Sequence, residues 1–176
     1  MPTVSQSLQD AYAGARARVV PDAPLAYVQI GTESTFVLAG RDEVPGLVVE
    51  LSLGSEKTAR EFFAHVPPTG AELEQAIAWV EDELMRVDPR IRGSGQVFIG
   101  GEALREILRA GGVAAAPQPS LDIDTVERTF NRLAAVALGR PLAREGLSSS
   151  ASFAATLLIL RELMHHLQFA RIAVLD

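Results

Sequence analysis

Apolar positions recur at helical spacing at Val4, Leu8, Ala11, Tyr12 and Ala15, which predicts a short amphipathic helix within residues 1–18. It ends before the extended segment Val19-Val20-Pro21-Asp22-Ala23-Pro24 and reads as an appendage to the rest of the chain. The runs Leu25 to Ile30, Ser34 to Ala39 and Leu47 to Leu53 are strand-like, and their short connections at Gly31-Thr32 and at residues 40–46 predict an antiparallel meander. Helical spacing returns from Ser55 to Phe63. It returns again after Pro67-Pro68, where Thr69-Gly70-Ala71-Glu72 reads as a capping box. The buried stripe of this second helix is Leu73, Ile77, Val80, Leu84 and Val87. Glu72, Glu74, Glu81, Asp82 and Glu83 read as solvated charges, and Asp88-Pro89 ends the helix.

The second half alternates more regularly. Strand Gln96 to Ile99 passes through Gly100-Gly101 into a helix from Glu102 to Ala110, which Gly111-Gly112 terminates. A surface loop, Val113 to Pro119, leads to a helix starting near Asp124, with Glu127 three residues on, and ending at Gly139. A last helix, from about Ser149 to Gln168, turns Phe153, Leu157, Leu160, Met164 and Leu167 inward before the strand Arg171 to Leu175. A meander followed by strand-helix units predicts an α/β fold: a mixed sheet with helices on its faces, with residues 25–176 as a single lobe.

Composition narrows the function classes. A chain of 176 residues with 48% apolar positions can bury a core without a disulfide or structural metal. Having no cysteine, it has no thiol nucleophile, thiolate zinc site or disulfide framework. A formal charge of -6 disfavours a nucleic-acid partner. The amino terminus carries no basic lead into an apolar run. The most apolar stretch, Ala151 to Leu160, is well short of the roughly 20 residues of a membrane span, so a cytoplasmic protein with no membrane partner is expected.

Three histidines and a serine run are the remaining candidates for chemistry. His165 and His166 are adjacent and point about 100° apart on a helix, so they cannot chelate one ion together; with His65 they read as surface residues, and no metal site is expected. Ser148-Ser149-Ser150 lies where a helix N-cap belongs, and no Gly-x-Ser-x-Gly turn exists. Trp79 sits beside the apolar stripe of its helix and reads as packing.

Between the first two strands, Val28-Gln29-Ile30-Gly31-Thr32-Glu33-Ser34-Thr35 makes a tight turn carrying hydroxyls, of the kind that can cradle phosphate. Together with the order of elements, it resembles the carboxyl-terminal lobe of the exopolyphosphatase and guanosine pentaphosphate phosphohydrolase (Ppx/GppA) family, within the actin-like ATPase superfamily. There the turn typically reads Asp-Ile-Gly-Gly-Gly-Ser-Thr-Glu, followed by a Ser-Leu-Pro-Leu-Gly segment and a Thr-Glu-Arg-Phe-like helix. The matching stretches are Gln29 to Phe36, Glu50-Leu51-Ser52-Leu53-Gly54 and Thr58-Ala59-Arg60-Glu61-Phe62-Phe63. Pro67-Pro68-Thr69, Val97-Phe98-Ile99-Gly100-Gly101 and Gly146-Leu147-Ser148 through Val174 continue the likeness. The resemblance implies a ribonuclease-H-like lobe, with a weak site for a phosphate or nucleotide ligand at Gly31, Ser34, Thr35, Gly100 and Gly101.

The departures lie at the positions that carry the family's chemistry. Its aspartate is Gln29, two of its glycines are Thr32 and Glu33, and its closing glutamate is Phe36. Neither Gln29 nor Phe36 can support a metal or an attacking water. At 4 Å, Glu33 would repel a phosphate charge by about 1 kcal/mol in water and roughly 4 kcal/mol at an effective dielectric of 20. At Gly100-Gly101, Glu102 itself takes the anion position of the following helix. The family's Arg-Ala-Asp before the last helix appears as Ser149-Ser150-Ala151. The resemblance also implies a preceding lobe that carries a catalytic glutamate. The expectation is a catalytically inactive binding or assembly module with no catalytic residues and no cofactor. Apolar surface left by that lobe would be covered by self-association, as a dimer in which the helix around Leu8 and Tyr12 covers or shares the surface. The alternative is a phosphohydrolase using Mg2+ and completed by a partner lobe or dimer, with Glu33 as a replacement carboxylate.

Overall fold

Period-two alternation along the strands sorts their side chains onto two faces, and this alternation organises the whole molecule. A computed structural model describes residues 5–93, 95–101 and 103–175. In chain order the elements are α1 (Gln6–Arg16), β1 (Leu25–Ile30), β2 (Thr35–Gly40), β3 (Leu47–Leu51), α2 (Ser55–Phe62), α3 (Gly70–Leu84), β4 (Gln96–Gly100), α4 (Leu104–Ala110), β5 (Ser120–Asp122), α5 (Ile123–Ala137), α6 (Leu142–Glu145), α7 (Ala151–His166) and β6 (Arg171–Leu175), with a 3-10 turn at Pro89–Ile91. They form the expected α/β lobe, with one six-stranded sheet in the order β3-β2-β1-β4-β6-β5. The meander β1-β2-β3 is antiparallel, β4 and β6 run parallel to β1, and β5 closes the far edge antiparallel to β6.

One face carries Ala26, Val28, Ile30, Val37, Leu51, Val97, Ile99 and Ile172 into the main core. Helix α7 lies at its centre and is buried on nearly all sides, with α2, α3, α4 and α5 packed around it. The other face carries Leu25, Tyr27, Leu38 and Phe98, and among the described residues it is covered by α1, through Leu8, Tyr12 and Ala15, with Val19 beyond it. The first helix is therefore docked on the sheet rather than appended to it. The lock is Arg16, which is only 4% exposed. Its guanidinium donates to the carbonyls of Ala23 (2.6 Å), Val20 (2.6 Å) and Arg41 (3.1 Å), tying α1 to both loops that flank it.

Boundaries move where caps and pairing decide them. Thr69 and Glu72 form the expected capping box, and Ser150 caps α7. For α5 the cap is Asp122, which accepts the Thr125 N–H at 2.7 Å, instead of Asp124. β2 begins at Thr35 rather than Ser34, and β3 ends at Leu51, the last residue paired with β2, rather than at Leu53. β5 falls in a segment that carried no strand expectation, because three residues are too few to show alternation. Glu83 is not solvated: it faces β3, where its carboxylate accepts the Ser52 N–H (2.8 Å) and pairs with Arg86 (2.9 Å). Val4, Glu102 and Asp176 lie outside the described residues.

Replacing Arg16 by Ala would leave three carbonyls without their charge-assisted donors. It is expected to destabilise the protein by about 3 kcal/mol in urea unfolding. Unchanged stability would show that α1 is not held by this contact.

Candidate functional site

The β1–β2 turn and the β4–α4 turn meet because β1 and β4 are parallel and in register, with Gln29 beside Gly100. Both turns therefore leave the carboxyl edge of the sheet side by side, where ligands commonly sit in open α/β folds. Gly101, at φ +138°, lies so close that a Cβ there would come within 3.2 Å of the Ile30 carbonyl. Gly100 is buried, and a Cβ on it would approach the Tyr27 hydroxyl to 2.3 Å. Gly31, Gly100 and Gly101 are thus brought together.

The polar groups of the turn are largely engaged within the chain. The Gly31 N–H donates to the Ser34 carbonyl (2.9 Å). The Gly31 carbonyl accepts the Ser55 N–H (2.9 Å), and the Thr32 carbonyl accepts those of Glu56 and Lys57 (both 3.0 Å). The first three amides of α2, the donors that a helix N-terminus could offer an anion, are spent on the turn. The approach requires glycine at position 54, where a Cβ would stand 2.2 Å from the Thr32 oxygen. Thr35 is fully buried and its hydroxyl donates to the Leu53 carbonyl at 2.7 Å. It therefore points away from any ligand above the turn. Ser34 is half-buried at the rim, beside a shallow polar concavity of about 490 Å³ lined by Glu33, Glu50, Ser52, Lys57 and Arg86.

Glu33 projects into solvent from the turn and pairs with Arg60 of α2 at 3.0 Å. That hydrogen bond, with the charges of Arg60 and Lys57, holds its carboxyl below the usual range. Helix α4 begins at Leu104, later than expected, and its N-cap residue Ala103 makes no side-chain cap.

The remaining candidates lie elsewhere. His65 contacts Glu72 (2.8 Å), His166 contacts Arg92 (3.3 Å) and His165 contacts Glu127, each beyond the turns described above. Among the described residues no group of three metal-ligating side chains converges. Trp79 packs against Phe62 with ring centroids 6.1 Å apart.

No protein-family model and no curated protein sequence matches the chain. Solved structures do. A Ppx/GppA phosphatase from Aquifex aeolicus superposes with a TM-score of 0.75 at 17% identity, over 96% of this chain and 58% of that one. An exopolyphosphatase from Cytophaga hutchinsonii does so with a TM-score of 0.70 at 14% identity, over 93% and 56%. An exopolyphosphatase-like protein gives 0.69 at 13%, over 99% and 62%.

The fold is that of a Ppx/GppA lobe. The chain spans little more than half the length of the Aquifex phosphatase it matches. Within the Ppx/GppA framework, the turn that sequence reasoning singled out stands at the carboxyl edge of β1. What sequence could not reveal is that Thr35 and the α2 amides are occupied from within, because their partners, the Leu53, Gly31 and Thr32 carbonyls, are backbone atoms that no residue pattern marks.

Thr35→Val keeps the shape of the side chain and removes the donor to the Leu53 carbonyl. It is expected to cost about 1–3 kcal/mol in urea unfolding, with or without phosphate compounds. Stability unchanged without ligand would show that the hydroxyl is not committed to the Leu53 carbonyl.

Proposed function

We propose that this Ppx/GppA-like lobe is a non-catalytic binding or assembly module, self-associating as a homodimer, that hydrolyses no phosphoanhydride by itself. The observation that supports this most is the state of the β1–β2 turn. Gln29 and Phe36 stand where the resemblance calls for carboxylates, and the α2 amides and the Thr35 hydroxyl are committed inside the chain. The one carboxylate in the turn, Glu33, is neutralised by Arg60. Glu50 lines the adjacent concavity as well, but so do Lys57 and Arg86, so the chain's own cations stand where a divalent cation such as Mg2+ would need its carboxylates and substrate phosphates.

The competing reading is a phosphohydrolase acting on polyphosphate or guanosine pentaphosphate with Mg2+, completed by a partner lobe or a dimer. It draws on one observation, the convergence of the Gly31 and Gly101 turns at the carboxyl edge of the sheet. It would require Glu33 to leave Arg60 and act as the carboxylate.

Thermal unfolding with Mg2+ plus polyphosphate, guanosine tetraphosphate or ATP, each alone, separates the two. A ligand at a hundred times its dissociation constant adds about 2.7 kcal/mol, which raises the midpoint by several degrees in a domain of this size. The module reading predicts no phosphate release; a shift without release would retain a binding role, and no shift with any of the three would leave assembly alone. Release that is lost in Glu33→Ala would establish the enzyme.

A further inference from the structure

The two edges of the sheet are treated very differently. β5 has three residues, and Pro117 and Pro119 precede it, the short and proline-guarded form that discourages pairing. β3 has five, Leu47-Val48-Val49-Glu50-Leu51, with neither proline nor lysine inside it and a single proline, Pro45, ahead of it. Among the described residues it pairs with β2 alone. Leu47, Val48 and Val49 remain half-exposed along this edge, and Val44 in the preceding loop is 74% exposed. A largely apolar edge strand with an unpaired side is a template for another strand.

We infer that β3 is the self-association surface, pairing antiparallel with β3 of a second copy about a two-fold axis through Val48, so that two sheets join into one. This rests on the reading of the chain as an assembly module. Two features of the edge point to a second copy rather than a foreign strand.

The first is the register. With the axis at Val48, Val48 faces its own copy, Leu47 faces the copy's Val49, and Glu50 faces the copy's Gly46. Leu47, Val48 and Val49 then each have an apolar partner on their own face of the sheet. With the axis at Val49, Glu50 would face the copy's Val48, and the two Glu50 carboxylates would stand nearly diagonal to one another, where like charges destabilise.

The second is charge. The same axis carries the loop before β3, with exposed Asp42, Glu43 and Val44, toward the far end of the copy's β3. Lys57 and Arg86 line the concavity at that end together with Glu33 and Glu50, and of these Arg86 is paired with Glu83 and Glu33 with Arg60. The Lys57 ammonium donates to the Ser52 hydroxyl and has no carboxylate within ion-pair distance among the described residues. The acidic loop thus meets the Lys57 ammonium twice, once at each end of the joined strands.

Having no cysteine, the chain allows a direct test. Val48→Cys places a lone thiol on the proposed axis, where directly opposed Cβ atoms lie about 4.5–5.5 Å apart, near disulfide reach. The expected result is that Val48→Cys forms a disulfide dimer under mild oxidation at least tenfold faster than Val49→Cys or Leu138→Cys. Sedimentation should show the unmodified protein dimeric at tens of micromolar. Glu43→Lys should weaken that dimer, and Glu43→Lys with Lys57→Glu should restore it. Preferential cross-linking at Cys introduced at 49 overturns the register. A dimer with no preference for position 48 and no response to the charge exchange overturns the β3 surface and leaves the assembly reading standing. A strict monomer overturns both, and so does a monomer that captures a foreign strand at β3.

Discussion

Everything at the carboxyl edge of this sheet depends on one close approach of backbone to backbone, in which the carbonyls of Gly31 and Thr32 accept the first three amides of α2. The approach is possible only with a glycine at position 54, since any Cβ there would overlap Thr32. It fixes how the chain passes from β3 into α2, and it closes the β1–β2 turn from below. In a phosphate-binding turn the same kinds of groups, backbone N–H donors at a helix start beside a glycine-rich bend, would face outward toward an anion. Here they are consumed by neighbouring carbonyls, and Glu33 with Arg60 presents a neutral pair to solvent.

The wider architecture arises from the alternation of apolar residues. Short aliphatic side chains on one face of β1, β2 and β4 let α7 pack against the sheet with the other helices around it. Larger ones on the opposite face, Tyr27 and Phe98 among them, are covered by α1. Arg16 and the Tyr12 hydroxyl tie that helix to the loops on both sides of it. The parallel pairing of β1 with β4 then makes the two glycine turns neighbours at the carboxyl edge, where ligands commonly sit in open α/β folds.

Much of this was legible in the sequence, for physical reasons that also mark where legibility ended. The meander, the Thr69–Glu72 capping box and the inward stripe of α7 are local patterns, and they stand within a residue or two of their expected places. The Ppx/GppA likeness was carried by the order of elements and by scattered short matches; at 17% identity to the Aquifex structure, the fold is what it shows. The misses are non-local or too short. β5 is three residues, its place set by β6. Glu83 looked like one more solvated acid in a charged helix until β3 supplied the Ser52 amide. The docking of α1 depends on a cation meeting carbonyls of loops that no periodicity links to it. At the turn, Gly31, Ser34, Thr35, Gly100 and Gly101 were identifiable by type and order. Whether their groups faced outward depended on backbone partners contributed by the segment around Gly54.

The central claim, that the donors at the start of α2 are spent within the chain, is most directly tested by amide hydrogen exchange at Ser55, Glu56 and Lys57. These amides are predicted to be protected in the ligand-free protein to the same degree as those in the middle of α2, and to be unaffected by polyphosphate with Mg2+. Fast exchange at all three without ligand, slowed when polyphosphate is added, would contradict the account and show that the turn still opens to receive an anion.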